Sequence, residues 1–133
     1  MNKKLLIATG NKEKAKEVED ILNLSLEFVN IDIDEVQSMN LEYVAIKKVE
    51  EAFRVLQKPV IVDDVGVFIE AWNGFPGPLA KFLLESYGNK KLLKLLENEK
   101  NRKVKVSTVV AYHDGKNIHT FLGEVDGTIS FEE

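Results

Sequence analysis

Leu5-Leu6-Ile7-Ala8-Thr9-Gly10-Asn11-Lys12-Glu13-Lys14 decides the fold class of this chain. The apolar run Leu5 to Ala8 reads as a buried strand that stops at Thr9-Gly10. Asn11 stands where a helix N-cap belongs, ahead of Ala15, Val18, Ile21 and Leu22 at helical spacing. A strand feeding a helix through a short polar turn aims free backbone N–H groups at one point, which suits an anion. Lys14 falls at the third helical position, where a capping box would place Glu or Gln. A cation there opposes the helix dipole by roughly 0.3–1 kcal/mol unless an anion sits between them. A phosphate site breaks the local rule in this way.

Further along, the same alternation recurs. Leu24 to Ile31 reads as a second strand, followed by the acidic loop Ile31-Asp32-Ile33-Asp34-Glu35. Asn40 can cap a long helix whose positions Leu41, Val44, Ala45, Val49, Ala52, Val55 and Leu56 share one face, and Pro59 ends it. Pro59-Val60-Ile61-Val62 has the continuous apolar character of a strand buried on both faces, and it is expected to end at Asp63-Asp64. Val67 to Trp72 suggests another strand, and Asn73 to Pro78 a structured loop. Two short helices, Leu79 to Tyr87 and Lys90 to Asn98, are separated by Gly88-Asn89. Val104 to Tyr112 and Asn117 to Val125 form a hairpin turning at Asp114-Gly115. Asp126-Gly127 reads as a further turn, with Thr128 to Phe131 starting a strand. The order predicts one α/β domain over residues 1–133, with a mixed sheet flanked by helices.

Bulk properties narrow the function. At 44% apolar and 30% charged residues, the chain is that of a folded globular protein rather than a disordered one. No apolar run reaches membrane-spanning length, and Leu5 to Ala8 is too short for a signal-peptide core. With no cysteine, disulfides, thiolate metal sites and thiol nucleophiles are excluded, and a reducing cytoplasm is the expected setting. A net charge of −4 argues against broad nucleic-acid binding, yet leaves room for a small anion met by local cations.

Ligands of open α/β sheets collect at the carboxyl ends of strands, so Thr9-Gly10-Asn11 and Asp63-Asp64 are expected to converge. Carboxylates there supply hard oxygen ligands for Mg²⁺, which takes one or two of them plus substrate phosphates. Glu35, in a loop after a strand, is a third candidate; equally, all three acids can cap turns on a solvated rim. Lys48 projects from the apolar stripe of its helix and either snorkels to the edge or reaches a buried anion. Lys47 and Lys81 read as surface residues, Trp72, Phe75 and Phe82 as core or interface anchors, and the Lys100–Lys105 cluster as a solvated loop and strand start, with a phosphate contact as the alternative. His113 and His119 flank the hairpin turn as solvated residues. Walker A, G-x-S-x-G, H-E-x-x-H and dinucleotide-glycine motifs are absent.

Taken in order, these segments resemble the Ham1 or inosine triphosphate pyrophosphatase family. Thr9 to Lys14 is similar to its Thr/Ser-x-Asn-x-x-Lys opening, and Ile31 to Ser38 to its acidic Glu-Ile-Gln segment. Lys48 ahead of Glu51-Ala52 matches its helix lysine, and Pro59 to Gly66 its strand ending in acid-Asp-Ser/Thr-Gly. Asn73-Gly74-Phe75-Pro76-Gly77 and Phe121 to Gly127 match its loop and hairpin. The resemblance covers essentially the whole chain. It implies an elongated two-lobed α/β fold, a homodimer, and Mg²⁺-dependent hydrolysis of ITP, dITP and XTP to monophosphate and pyrophosphate, with Mn²⁺ as the alternative ion. By position, Thr9, Gly10, Asn11, Lys14, Lys48 and Gly66 would hold the triphosphate. Glu35 and Asp64 would bind metal or position the attacking water, with Asp63 in support. Nucleic acid and membrane are not expected partners.

Two departures stand out. Val65 replaces the family's Ser or Thr, and the Gly-aromatic-Asp-Pro and Ser-His-Arg segments that help close the cleft and read the purine are absent. The expectation is therefore a C-terminally shortened form of a conventional member, with a catalytically impaired nucleotide-binding or oligomerising module as the alternative. The related Maf-type pyrophosphatases fit less well, because the Asn-Gly-x-Pro-Gly loop and Glu-Val-Gln segment speak against them.

Overall fold

In the computed structural model, which describes residues 4–133, alternation of strand and helix gives the order β1 (Leu5–Ala8), α1 (Lys12–Leu22), β2 (Leu26–Val29), α2 (Leu41–Leu56), β3 (Val60–Ile69), β4 (Pro76–Gly77), α3 (Ala80–Leu95), β5 (Lys103–His113) and β6 (Ile118–Thr128). A short 3₁₀ turn, Glu70–Trp72, follows β3. One sheet runs β2-β1-β3-β5-β6, with β4 also pairing β3. β1 lies parallel to both β2 and β3, whereas β5 runs antiparallel to β3 and β6 antiparallel to β5.

Strand alternation puts a different helix on each face. Ile7, Leu26 and Ile61 pack under Ala15 and Val18 of α1. Leu6, Ala8, Val60, Val62, Val109 and Ala111 pack under Leu41, Ala45, Val49 and Ala52 of α2. The chain leaves β1 for β2 on one side and returns to β3 on the other. The carboxyl end of β1 is therefore a topological switch point.

Four expectations need correction. β3 does not stop at Asp63-Asp64; it continues to Ile69, paired with β5 in unbroken register from Val60↔His113 to Ile69↔Val104. Asp126-Gly127 is likewise no turn, since β6 runs through both to Thr128, and residues 129–133 are not strand. Ile21, Leu22 and Val55 are exposed rather than core. Arg102, within the cluster read as solvated, is buried and donates to the carbonyls of Leu96 (2.6 Å), Ile129 (3.0 Å) and Ser130 (2.9 Å). The two helices after the Pro78 loop do form, joined through a non-helical Gly88 at φ 77°, ψ 163°.

Candidate active site

Both long helices begin with the asparagine caps read from the sequence. Asn11 Oδ1 accepts from the backbone N–H of Glu13 (3.0 Å) and Lys14 (3.3 Å), and Asn40 Oδ1 accepts from Tyr43 N–H (3.0 Å). Thr9 Oγ1 accepts from Asn11 N–H at 3.1 Å, so the turn leaving β1 is fixed by its own side chains. This turn forms one wall of a cleft of about 780 Å³, within the usual range for ligand sites. Thr9, Gly10 and Asn11 line it together with the loop from Asn30 to Glu35 and with Lys48, Lys81 and Phe82.

The sheet leaves a gap beside this cleft. β5 occupies one whole edge of β3, while on the other edge β1 pairs only through Ile61 and β4 begins at Val67. Between them the edge is open, and backbone groups there need other partners. Lys48 Nζ donates to the Asp63 carbonyl at 3.1 Å, and lies 3.1 Å from Glu35 Oε1 and 3.9 Å from Asp64 Oδ2. At 15% side-chain exposure Lys48 is no snorkelling surface lysine; it gathers three oxygens from three segments.

Asp63 and Asp64 are consecutive in a strand and so project to opposite faces. Asp64 lies on the α2 side with Lys48 and Glu35. Asp63 lies on the α1 side, where Lys14 Nζ meets its Oδ2 at 3.0 Å. Asp63, expected in support of the Asp64 cation, is paired here with Lys14 on the other face of the sheet. Among the described residues no three His, Asp or Glu side chains gather closely enough to hold a metal ion alone.

Asp64 is the electrostatic anomaly. Burial pushes its carboxyl up to about 6, opposed by Lys48 and Lys14 and reinforced by the charges of Glu35 and Asp63. Its Oδ2 is buried without a hydrogen-bond partner among the described residues. A buried carboxylate oxygen lacking a donor is a position for a cation. With Glu35 nearby, it offers the one or two carboxylates that Mg²⁺ takes when phosphates supply the remaining ligands.

Gly66 does not line the cleft. A Cβ there would fall 2.6 Å from Phe68 Cε2 and 3.3 Å from the Gly77 backbone, so close packing of β4 on β3 accounts for the glycine. Val65 projects on the Asp63 face, away from Asp64. Lys81 and Phe82, read as surface and anchor residues, form part of the cleft wall. Their placement depends on how the Pro78 loop returns α3 to the sheet, which helical spacing does not disclose. Phe82 also borders an apolar groove with Trp72, Phe75, Leu79, Leu83 and Tyr87.

Fold and cleft together describe an α/β protein whose Asn11-capped helix start lines a cleft at the carboxyl end of β1, with Lys48 linking that cleft to the buried Asp64. The chain belongs to the Ham1 family, whose model matches residues 5–133. It is 44% identical to a protein of Methanopyrus kandleri named dITP/XTP pyrophosphatase, over 97% of this chain and 71% of that one. A Methanosarcina mazei protein of the same name is 43% identical, over 98% of this chain and 73% of the relative. Among solved structures, the Staphylococcus aureus Ham1 protein superposes with a TM-score of 0.79 at 27% identity, covering 97% of this chain and 73% of that one.

Proposed function

We propose that this chain, as one ITPase-like domain, hydrolyses non-standard purine nucleoside triphosphates (ITP, dITP and XTP) to nucleoside monophosphate and pyrophosphate, removing them from the nucleotide pool. The observation that carries the reading is Lys48, which lines the same cleft as the Asn11-capped helix start and lies 3.9 Å from the buried Asp64 carboxylate, in a chain 44% identical to a protein named for this activity. Thr9, Gly10 and Asn11 receive phosphate oxygens at the helix N-terminus, and Lys14, Lys48 and Lys81 neutralise the polyphosphate. Asp64 and Glu35 would hold Mg²⁺ or Mn²⁺. When bound, the ion offsets phosphate charge and makes a bound water more acidic.

Water supplies the nucleophile. Its oxygen bonds to the α-phosphorus, the bond from that phosphorus to the bridging oxygen breaks, and pyrophosphate leaves with the bridging oxygen and its electron pair. A carboxylate that accepts the water proton must be ionised, a role that suits Asp64 once a cation offsets its burial. Lys48, held by Glu35 and the Asp63 carbonyl, keeps positive charge beside the reacting group throughout.

A homodimer and a cytoplasmic setting complete the proposal. In support, Val106, Phe121 and Val125 are exposed on one face of the β5–β6 hairpin, and none of the described helices is long and apolar enough to cross a membrane. The decisive experiment measures Mg²⁺-dependent pyrophosphate release from XTP, dITP, ATP and GTP by the wild type and by Asp64→Asn. A strong preference for XTP and dITP, abolished by the substitution, is expected. Equal rates on all four nucleotides, or an active Asp64→Asn, would refute the assignment.

A further inference from the structure

We propose that Asp63 is a positioning residue that fixes the spacing of Lys14 and Lys48, rather than a metal ligand; this rests on the phosphate role of Lys14 and Lys48 given above. The side chain of Asp63 is only 6% exposed and meets Lys14 Nζ at 3.0 Å, while its backbone carbonyl receives Lys48 Nζ at 3.1 Å. One residue therefore references two cations that come from helices on opposite faces of the sheet. The carbonyl attachment is available because β3 is unpaired on this edge between Ile61 and Val67, and the carboxylate attachment because Asp63 projects to the α1 face.

Charge balance keeps Lys14 where it is. Among the described residues, Lys14 is the one cation in ion-pair contact with Asp63. Were Lys14 to swing away to a phosphate, it would leave a buried carboxylate without a counterion, a costly state. An ammonium group has three protons, so Lys14 can stay on Asp63 and still offer the others. It remains 30% exposed and stands three residues after Asn11, which lines the cleft. The phosphate comes to an ammonium already placed. Asp64, on the other face, is left to the cation.

The test uses the full chain with two readouts. Reductive methylation of each lysine, followed by mass spectrometry without ligand, reports how firmly Lys14 is held. Calorimetric titration with magnesium pyrophosphate reports phosphate affinity, and the Mg²⁺ concentration for half-maximal XTP hydrolysis reports the metal site. Asp63→Asn should raise Lys14 methylation several-fold and weaken magnesium pyrophosphate about tenfold, the loss of one charge-assisted contact, with the Mg²⁺ midpoint unchanged. In a Lys14→Met background, Asp63→Asn should weaken pyrophosphate no further through the side chain. A shifted Mg²⁺ midpoint would make Asp63 a metal ligand and overturn the proposal, as would unchanged Lys14 methylation. Failure of the wild type to bind magnesium pyrophosphate would instead overturn the phosphate reading on which the proposal rests; the methylation readout tells the two failures apart. Should Asp63→Asn not fold, Asp63→Glu, which keeps the charge but displaces it, is read by the same measurements.

Discussion

At the scale of the residue, Asp64 sets the terms. Its carboxyl titrates near 6 in the folded chain against 3.8 for an ordinary aspartate, chiefly because it is buried. For an acid shifted upward, the protonated form is the one that the fold favours. Its contribution to stability is complete below about pH 4 and is lost as pH rises through 6. Moving this carboxyl from 3.8 to about 6 corresponds to about 3 kcal/mol. Asp64→Asn removes the ionisation, so its melting temperature should exceed that of the wild type above pH 6.5 and approach it near pH 4. Adding Mg²⁺ at pH 8 should raise the wild-type melting temperature and leave that of Asp64→Asn unmoved; differential scanning fluorimetry across this range checks both. Asp114 shifts the opposite way, held low first by the backbone N–H of Asn117 and then by His119, as expected for a carboxylate that closes an exposed hairpin turn.

At the scale of the element, the two asparagine caps separate stability from binding. Asn11→Ala and Asn40→Ala each remove a side-chain acceptor from a helix N-terminus and should each cost about 0.5–2 kcal/mol in urea unfolding. Asn11 lines the cleft and Asn40 does not. The Michaelis constant for XTP should therefore rise in Asn11→Ala alone, as steady-state kinetics would show. These caps were legible in the sequence because the asparagine and the N–H groups that it serves lie within three residues. The length of β3 was not. Asp63-Asp64 interrupts an apolar run and reads as its end, but the strand continues because Lys14 and Lys48 arrive from two distant helices to offset the charges. Lys48 was legible as a departure from its helix's apolar stripe, though not which oxygens it meets. Lys81 depends on the path of a loop, and Arg102 on carbonyls of residues 96, 129 and 130, which leave no mark in sequence pattern.

At the scale of the whole molecule, the sheet is covered unevenly. Helices α1 and α2 close its two faces around β1 and the start of β3, whereas Val106, Phe121 and Val125 stay exposed farther out. If this surface joins two copies, Val125→Lys should shift the sedimentation coefficient from dimer to monomer without lowering the melting temperature of the subunit; an unchanged coefficient would remove this face from the assembly. The neighbouring acids of β3 carry one more consequence, for how the gene can change. Each acid owes its helix to parity alone, odd position to α1 and even position to α2. Losing a single codon between Val60 and Val62 would transpose the pair, handing each carboxylate to the other's lysine while the composition stayed almost the same. Point substitutions can be tolerated there one at a time; a one-residue indel cannot, and lineages that keep this chemistry should vary in length everywhere except along that stretch.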